Sequence, residues 1–170
     1  WAAREGGPRR TVGEMFGRVE PGNPGSPLTI RNQQVRAKIY GEAAKTSVRT
    51  TFFNAGQSAV LGDFRTSLPQ GAIVSAFSVE RGQRKQRGHI ALAKRGEFEL
   101  FGAANQPQGT DMLEWAGEGW VRGTVRNIRP GETVSVELEY VEWLAVRPKG
   151  SGHVVQYRFP LAGEGDAPLV

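Results

Sequence analysis

At 170 residues and 18.5 kDa, with 38% hydrophobic and 23% charged residues, the chain has the composition of a soluble globular protein of one domain plus modest extras. It holds no run of about 18 apolar residues that would span a bilayer as a helix and no charged-then-apolar signal pattern, and its lack of Cys excludes disulfides, thiolate metal sites and Cys nucleophiles. A net charge of +5, with Arg supplying 17 of the 22 basic residues, favours anionic partners only where that charge is clustered.

The chain begins Trp1-Ala2-Ala3 without Met and reads as a processed product or a piece of a longer polypeptide. Residues 1–27, with "GGPRR" and "EPGNPGSP", read as an N-terminal arm or linker. Its apolar handles are Val12, Met15, Phe16 and Val19, which suit pairing along a sheet edge. From Leu28 onward, period-2 alternation recurs between turn signals, the mark of half-buried strands. Val35, Ala37 and Ile39 make one apolar face against Arg36, Lys38 and Tyr40; Val48, Thr50 and Phe52 alternate with Ser47, Arg49 and Thr51. "NAGQS" breaks the chain before Ala59-Val60-Leu61, and "SLPQG" before Ile73–Val79, a strand apolar enough to be covered on both faces.

The segment 89–105 is ambiguous. Ile90, Ala93, Phe98, Phe101 and Ala104 fall on one helical face, but Ile90/Leu92 and Phe98/Leu100 also alternate around "AKRGE", which suits a hairpin. Gly96 and Gly102 each cost a helix about 1 kcal/mol relative to Ala. Trp120–Ile128, Thr133–Val146 and His153–Phe159 then supply three more strand stretches, separated by "RPG" and "RPKGSG". The expected fold is mainly β: an antiparallel β-sandwich of about eight strands with one short helix or hairpin insertion near 89–105. Residues 28–161 form the domain, and 162–170 a C-terminal tail or linker.

Few residues point to chemistry. His89 and His153 stand 64 positions apart with no H-x-x-x-H arrangement, so no metal site is assigned. There is no G-x-S-x-G elbow, Walker loop or G-x-G-x-x-G between strand and helix, so no catalytic residue and no cofactor is assigned. Glu137 and Glu139 share a strand face, but with Val136, Leu138 and Tyr140 on the other face they read as solvent-facing rather than as an acid–base pair. Trp120 and Trp143, in strand patterns, read as core or interface anchors. The densest charge feature is Arg81, Arg84, Lys85, Arg87, Lys94 and Arg95, with no acid between 81 and 95. It is a candidate surface for an anion or partner, although stacking aromatics are missing from it.

The order of these pieces resembles a known family. "TFFN" at 51–54, "SLPQGAIVSAFSV" at 67–79, "MLEW" at 112–115, "VRNIRPGETVSVELEYVEWL" at 125–144 and "YRFPL" at 157–161 are similar to the VIT domain of vault protein and inter-alpha-trypsin inhibitor heavy chains. The most specific block is N-I-x-P-G-x-x-V-x-V-x-L-x-Y, here Asn127, Ile128, Pro130, Gly131, Val134, Val136, Leu138 and Tyr140. Ser67 stands where the family tends to have Pro in F-P-L-P, and "RKQRGHIALAKRG" departs from the family's Lys/Glu-rich helix, whose later part Phe101 and Ala104 match.

The resemblance implies a compact sandwich without catalytic residues, often placed beside a von Willebrand factor type A domain. That neighbour's D-x-S-x-S metal-adhesion motif is not matched by Asp63-Phe64-Arg65-Thr66-Ser67. The implied function is a non-catalytic interaction or structural module supporting adhesion or assembly of a larger protein, through a protein partner or flanking domains of the same polypeptide. The alternative partner is an anionic polymer, nucleic acid or acidic polysaccharide, bound by the basic 81–95 segment. The Arg-heavy, Cys-free composition reads as bacterial, and the expected location is extracytoplasmic: periplasmic, cell-surface or secreted.

Overall fold

Among the described residues, thirteen strands form where period-2 runs meet turn residues. The structure, a computed structural model, describes residues 13–20, 24–92, 112–115 and 119–159. In chain order the strands are β1 Glu14–Arg18, β2 Ser26–Pro27, β3 Thr29–Tyr40, β4 Ala43–Phe53, β5 Val60–Ser67, β6 Ile73–Arg81, β7 Arg84–Arg87, β8 His89–Leu92, β9 Met112–Trp115, β10 Trp120–Ile128, β11 Thr133–Trp143, β12 Ala145–Lys149 and β13 Gly152–Gln156. They build a six-stranded sheet of order β2-β1-β5-β10-β9-β8, a five-stranded sheet of order β3-β4-β11-β6-β7, and the β12-β13 hairpin.

The mainly β, sandwich-type architecture is the expected one, with more strands than about eight because several are short. All pairings are antiparallel except β8 with β9, which is parallel. His89–Leu92, the start of the ambiguous insertion, is therefore a strand; the rest of the helix-or-hairpin expectation lies outside the described residues, as does the tail 162–170.

Alternation puts one face of each sheet into a shared core. Phe52, Phe77, Val79, Val134, Val136, Leu138 and Tyr140 come from the five-stranded sheet, and Met15, Phe64, Leu113, Val121, Val125 and Ile128 from the six-stranded one. Phe52 and Phe64 bridge the layers edge to face, centroids 6.1 Å apart. Close approach excludes a side chain at Gly62, where a Cβ would sit 2.7 Å from Met15 Sδ and 2.8 Å from Ile128 Cδ1.

Within 1–27, residues 14–18 pair with β5 and bury Met15, sheet pairing of the kind that the apolar handles of this segment suit. On the edge strand β3, Val35 is half-buried and Ala37 and Ile39 are exposed, so its apolar face is only partly covered. Trp143, 76% exposed, lies on the same strand face as Glu137 and Glu139. Trp120 is half-buried.

The turn between β10 and β11 explains its own sequence. Asn127 adopts φ 51° at the bulge between Val125 and Ile128, a left-handed conformation that Asn tolerates better than most residues. Pro130 then presets φ, Gly131 accepts φ 71°, and the Glu132 N–H donates to the Arg129 carbonyl at 3.0 Å, which closes a type II turn. Asn54 locks that turn to the neighbouring loop. Its N–H donates to the Glu132 carbonyl, its carbonyl accepts from the Gly131 N–H, and its Nδ2 donates to the Ser58 and Ile128 carbonyls. Pro130→Ala is expected to lower unfolding free energy by about 0.5–1 kcal/mol, by freeing the unfolded chain. Urea unfolding with an unchanged slope checks it; an unaltered midpoint would mean that Gly131 and Asn54 set the turn without Pro130.

Candidate functional site

The outer face of the five-stranded sheet is assembled by β-register. Paired positions share a face, so Ser47, Arg49 and Thr51 of β4 stand beside Glu139, Glu137 and Ser135 of β11, which in turn stand beside Ala76, Ser78 and Glu80 of β6. Glu80 is followed laterally by Lys85 of β7. Charges on this surface pair across the strands. Arg49 Nη2 donates to Glu80 Oε1 at 2.7 Å, Lys85 Nζ to Glu137 Oε2, the Ser47 hydroxyl to Glu137 Oε1 at 2.9 Å, and Lys45 Nζ lies 2.7 Å from Glu139 Oε2.

The two glutamates are therefore cross-strand partners of two lysines and a serine hydroxyl. The hydrogen bond from Lys85, seconded by Ser47, holds the Glu137 carboxyl below its ordinary range against the opposing effect of partial burial. The hydrogen bond to Glu139 likewise raises Lys45. Because the folded Glu137 pKa is depressed, its contribution is present above the unfolded-chain carboxylate pKa and is lost as pH falls through the folded value. Glu137→Gln is expected to cost about 1 kcal/mol at pH 7. The difference from the parent should shrink on acidification below about pH 4; a pH-independent gap would mean that packing, not charge, is what Glu137 supplies.

Four of the basic residues singled out in the sequence, Arg81, Arg84, Lys85 and Arg87, lie on the β6–β7 hairpin, where Arg81 pairs with Arg84. Arg81 turns back on the β10–β11 bulge: its Nη1 donates to Glu132 Oε1 at 2.9 Å and to the Asn127 carbonyl at 3.3 Å, and its Nη2 to the Arg126 carbonyl. Lys85 is held by Glu137. Arg84 and Arg87 are exposed on the edge strand β7, with no carboxylate at ion-pair distance among the described residues. Lys94 and Arg95 lie outside the described residues. His89 and His153 are both exposed and sit on separate sheets. Among the described residues no three His, Asp or Glu side chains converge as metal ligands, and no helix is long and apolar enough to cross a membrane.

Two features were not legible from the sequence. On the outer face of the six-stranded sheet, Asp63 is 3% exposed beneath three arginines: Arg122 Nη2 reaches both carboxylate oxygens at 3.1 and 3.2 Å, Arg18 Nη2 contacts Oδ2, and Arg65 lies at 4.0 Å. The second is apolar. Register aligns Tyr40, Ala43 and Trp143 in one row and Val141 with Ile73 in the next. Tyr40 is 65% exposed and Ile73 58%. Tyr40 and Trp143 are two strand spacings apart, roughly 10 Å, with small Ala43 between them. Period 2 puts Val141 and Trp143 on the glutamate face, but only strand pairing brings Tyr40 and Ile73 beside them.

Behind this end, Tyr157 is anchored on the inner face, its hydroxyl 3.0 Å from Thr46 Oγ1 and its pKa pushed up by burial. A half-open cleft of about 260 Å³ lies elsewhere, between residues 17–19, 26–29 and 53–60, and its lining includes no ionisable side chain.

Two stacked sheets, cross-strand ion pairs and an uncovered apolar end define a β-sandwich module. The chain belongs to the family described as the vault protein inter-alpha-trypsin domain, whose model matches residues 30–140, more than half of its length. That family suggests a non-catalytic module. No curated protein matches the chain.

Proposed function

We propose that the chain is a non-enzymatic docking module that supports adhesion or assembly of a larger extracytoplasmic protein, one that also carries a von Willebrand factor type A domain. Its partner is another protein or a flanking domain of the same polypeptide. The observation that carries this reading is the apolar end of the five-stranded sheet. Tyr40, Ile73, Val141 and Trp143 stand exposed beside a face whose charges are paired, and contiguous exposed apolar groups of this kind mark protein interaction sites. Trp and Tyr are also the side chains that most often anchor such contacts. Family membership supports the same reading.

Replacing Trp143 with a photo-crosslinking phenylalanine analogue in the full parent polypeptide tests it. Crosslinks to a defined protein surface, or to another domain of the same polypeptide, are expected; crosslinks to glycan or nucleic acid alone, or none, would overturn the reading.

The alternative reading, an anionic polymer bound by the basic 81–95 segment, is favoured by the exposed pair Arg84 and Arg87. It requires heparin or single-stranded DNA binding that weakens by orders of magnitude between roughly 50 and 200 mM salt, and that is lost on neutralising Arg84 and Arg87.

A further inference from the structure

The five-stranded sheet ends on one side in β3, Thr29–Tyr40, twelve residues long. Among the described residues its only strand partner is β4, and from Gln34 to Tyr40 its second edge faces no described strand. An open edge is a template for another strand. The other edge of the same sheet, β7, has four residues and one of its cations is tied to Glu137.

Side chains along β3 say what kind of strand fits. On the inner side Val35 is half-buried and Ala37 and Ile39 are exposed, at every second position, so an apolar strip continues past the end of the core. On the outer side Arg36 and Lys38 are exposed, and β3 contains no acid; the nearest in sequence is Glu42 in the following turn. Arg31 adds a third cation, its guanidinium 4.3 Å from the Phe53 ring centroid. A second copy of this chain is a poor occupant, because antiparallel self-pairing would bring three cations from each copy into one seam. A strand alternating acidic and apolar residues meets both faces. Its apolar side chains would cover Val35, Ala37 and Ile39, while its carboxylates would stand across from Arg36 and Lys38.

We propose that the β3 edge is a β-augmentation site for an extended segment of a partner protein with alternating acidic and apolar residues, centred on residues 35–39. This rests on the docking reading above and names the chemistry of its partner. Backbone hydrogen bonds to β3 supply the attachment, and the Arg36/Lys38 face supplies the preference for acid.

The test uses two synthetic octapeptides, one alternating glutamate and valine and one alternating lysine and valine, with amide hydrogen exchange followed on the whole chain. The glutamate peptide is expected to bind and to slow exchange in residues 34–40. The lysine peptide is expected not to bind. In the double variant Arg36→Glu, Lys38→Glu, whose exposed positions leave the fold intact by circular dichroism, affinity for the glutamate peptide should fall about tenfold or more. Equal binding of the two peptides, no binding of the glutamate peptide, or an unchanged affinity in the double variant overturns the proposal. Protection confined to β7 or to the Trp143 surface overturns the β3 assignment while leaving the docking reading standing. Protection of β3 that appears without peptide and grows with protein concentration identifies a second copy as the occupant, and also overturns it.

Discussion

Phe52→Ala is expected to lower unfolding free energy by about 4 kcal/mol and the melting midpoint by roughly 10–20 °C. Phe52 is fully buried near the C-terminal end of β4, and its ring meets Phe64 of the opposite sheet edge to face. Truncation removes the transfer energy of the ring and leaves a cavity between two sheets whose backbones cannot close on it. A loss of that size is a large share of the 5–15 kcal/mol total typical of a domain. The neighbouring residue supplies the control. Phe53 points to the other face, where its ring carries the Arg31 guanidinium, and Phe53→Ala should cost about 1 kcal/mol. Urea unfolding of both variants checks the pair, and similar losses at 52 and 53 would contradict the β4 register.

The second large effect concerns charge. Asp63→Ala is expected to cost about 3 kcal/mol, because it leaves Arg18, Arg65 and Arg122 gathered on one face without the carboxylate that holds them. Partial exposure of the three guanidiniums lets water offset part of that cost, which keeps the figure below the upper end for buried pairs. Asp63→Asn preserves shape but not charge and should lose nearly as much. If either variant falls within about 0.5 kcal/mol of the parent in chemical denaturation, the usual range for surface changes, the arginines are solvated independently and the cluster is incidental. High salt should narrow the gap between parent and variant.

Much of the local structure is written in short-range pattern. Val134, Val136, Leu138 and Tyr140 alternate and are all buried, and the Pro130-Gly131 pair makes the type II turn that its chemistry requires. The family block is legible for the same reason: its Asn, Pro and Gly serve a bulge and a turn, and its apolar positions serve one sheet face. The role of the glutamates on the opposite face was half visible. Their direction followed from period 2, but Lys85, Ser47 and Lys45 reach them only through strand pairing.

What the amino-acid sequence determined by itself was thus strand content, turn positions and which side of each strand is apolar, since alternation and φ preference act within a few residues. Tertiary structure decided the rest. It placed 14–18 between β2 and β5 of the six-stranded sheet, buried Asp63 under arginines 45 positions before it and 59 after it, and tied Arg81 and Lys85 to carboxylates while Arg84 and Arg87 stay exposed. It also left Ile39 uncovered and brought Tyr40 and Trp143 into one exposed row. Pairing and overhang depend on where one sheet ends against the other, a property of contacts between distant strands that no local period encodes.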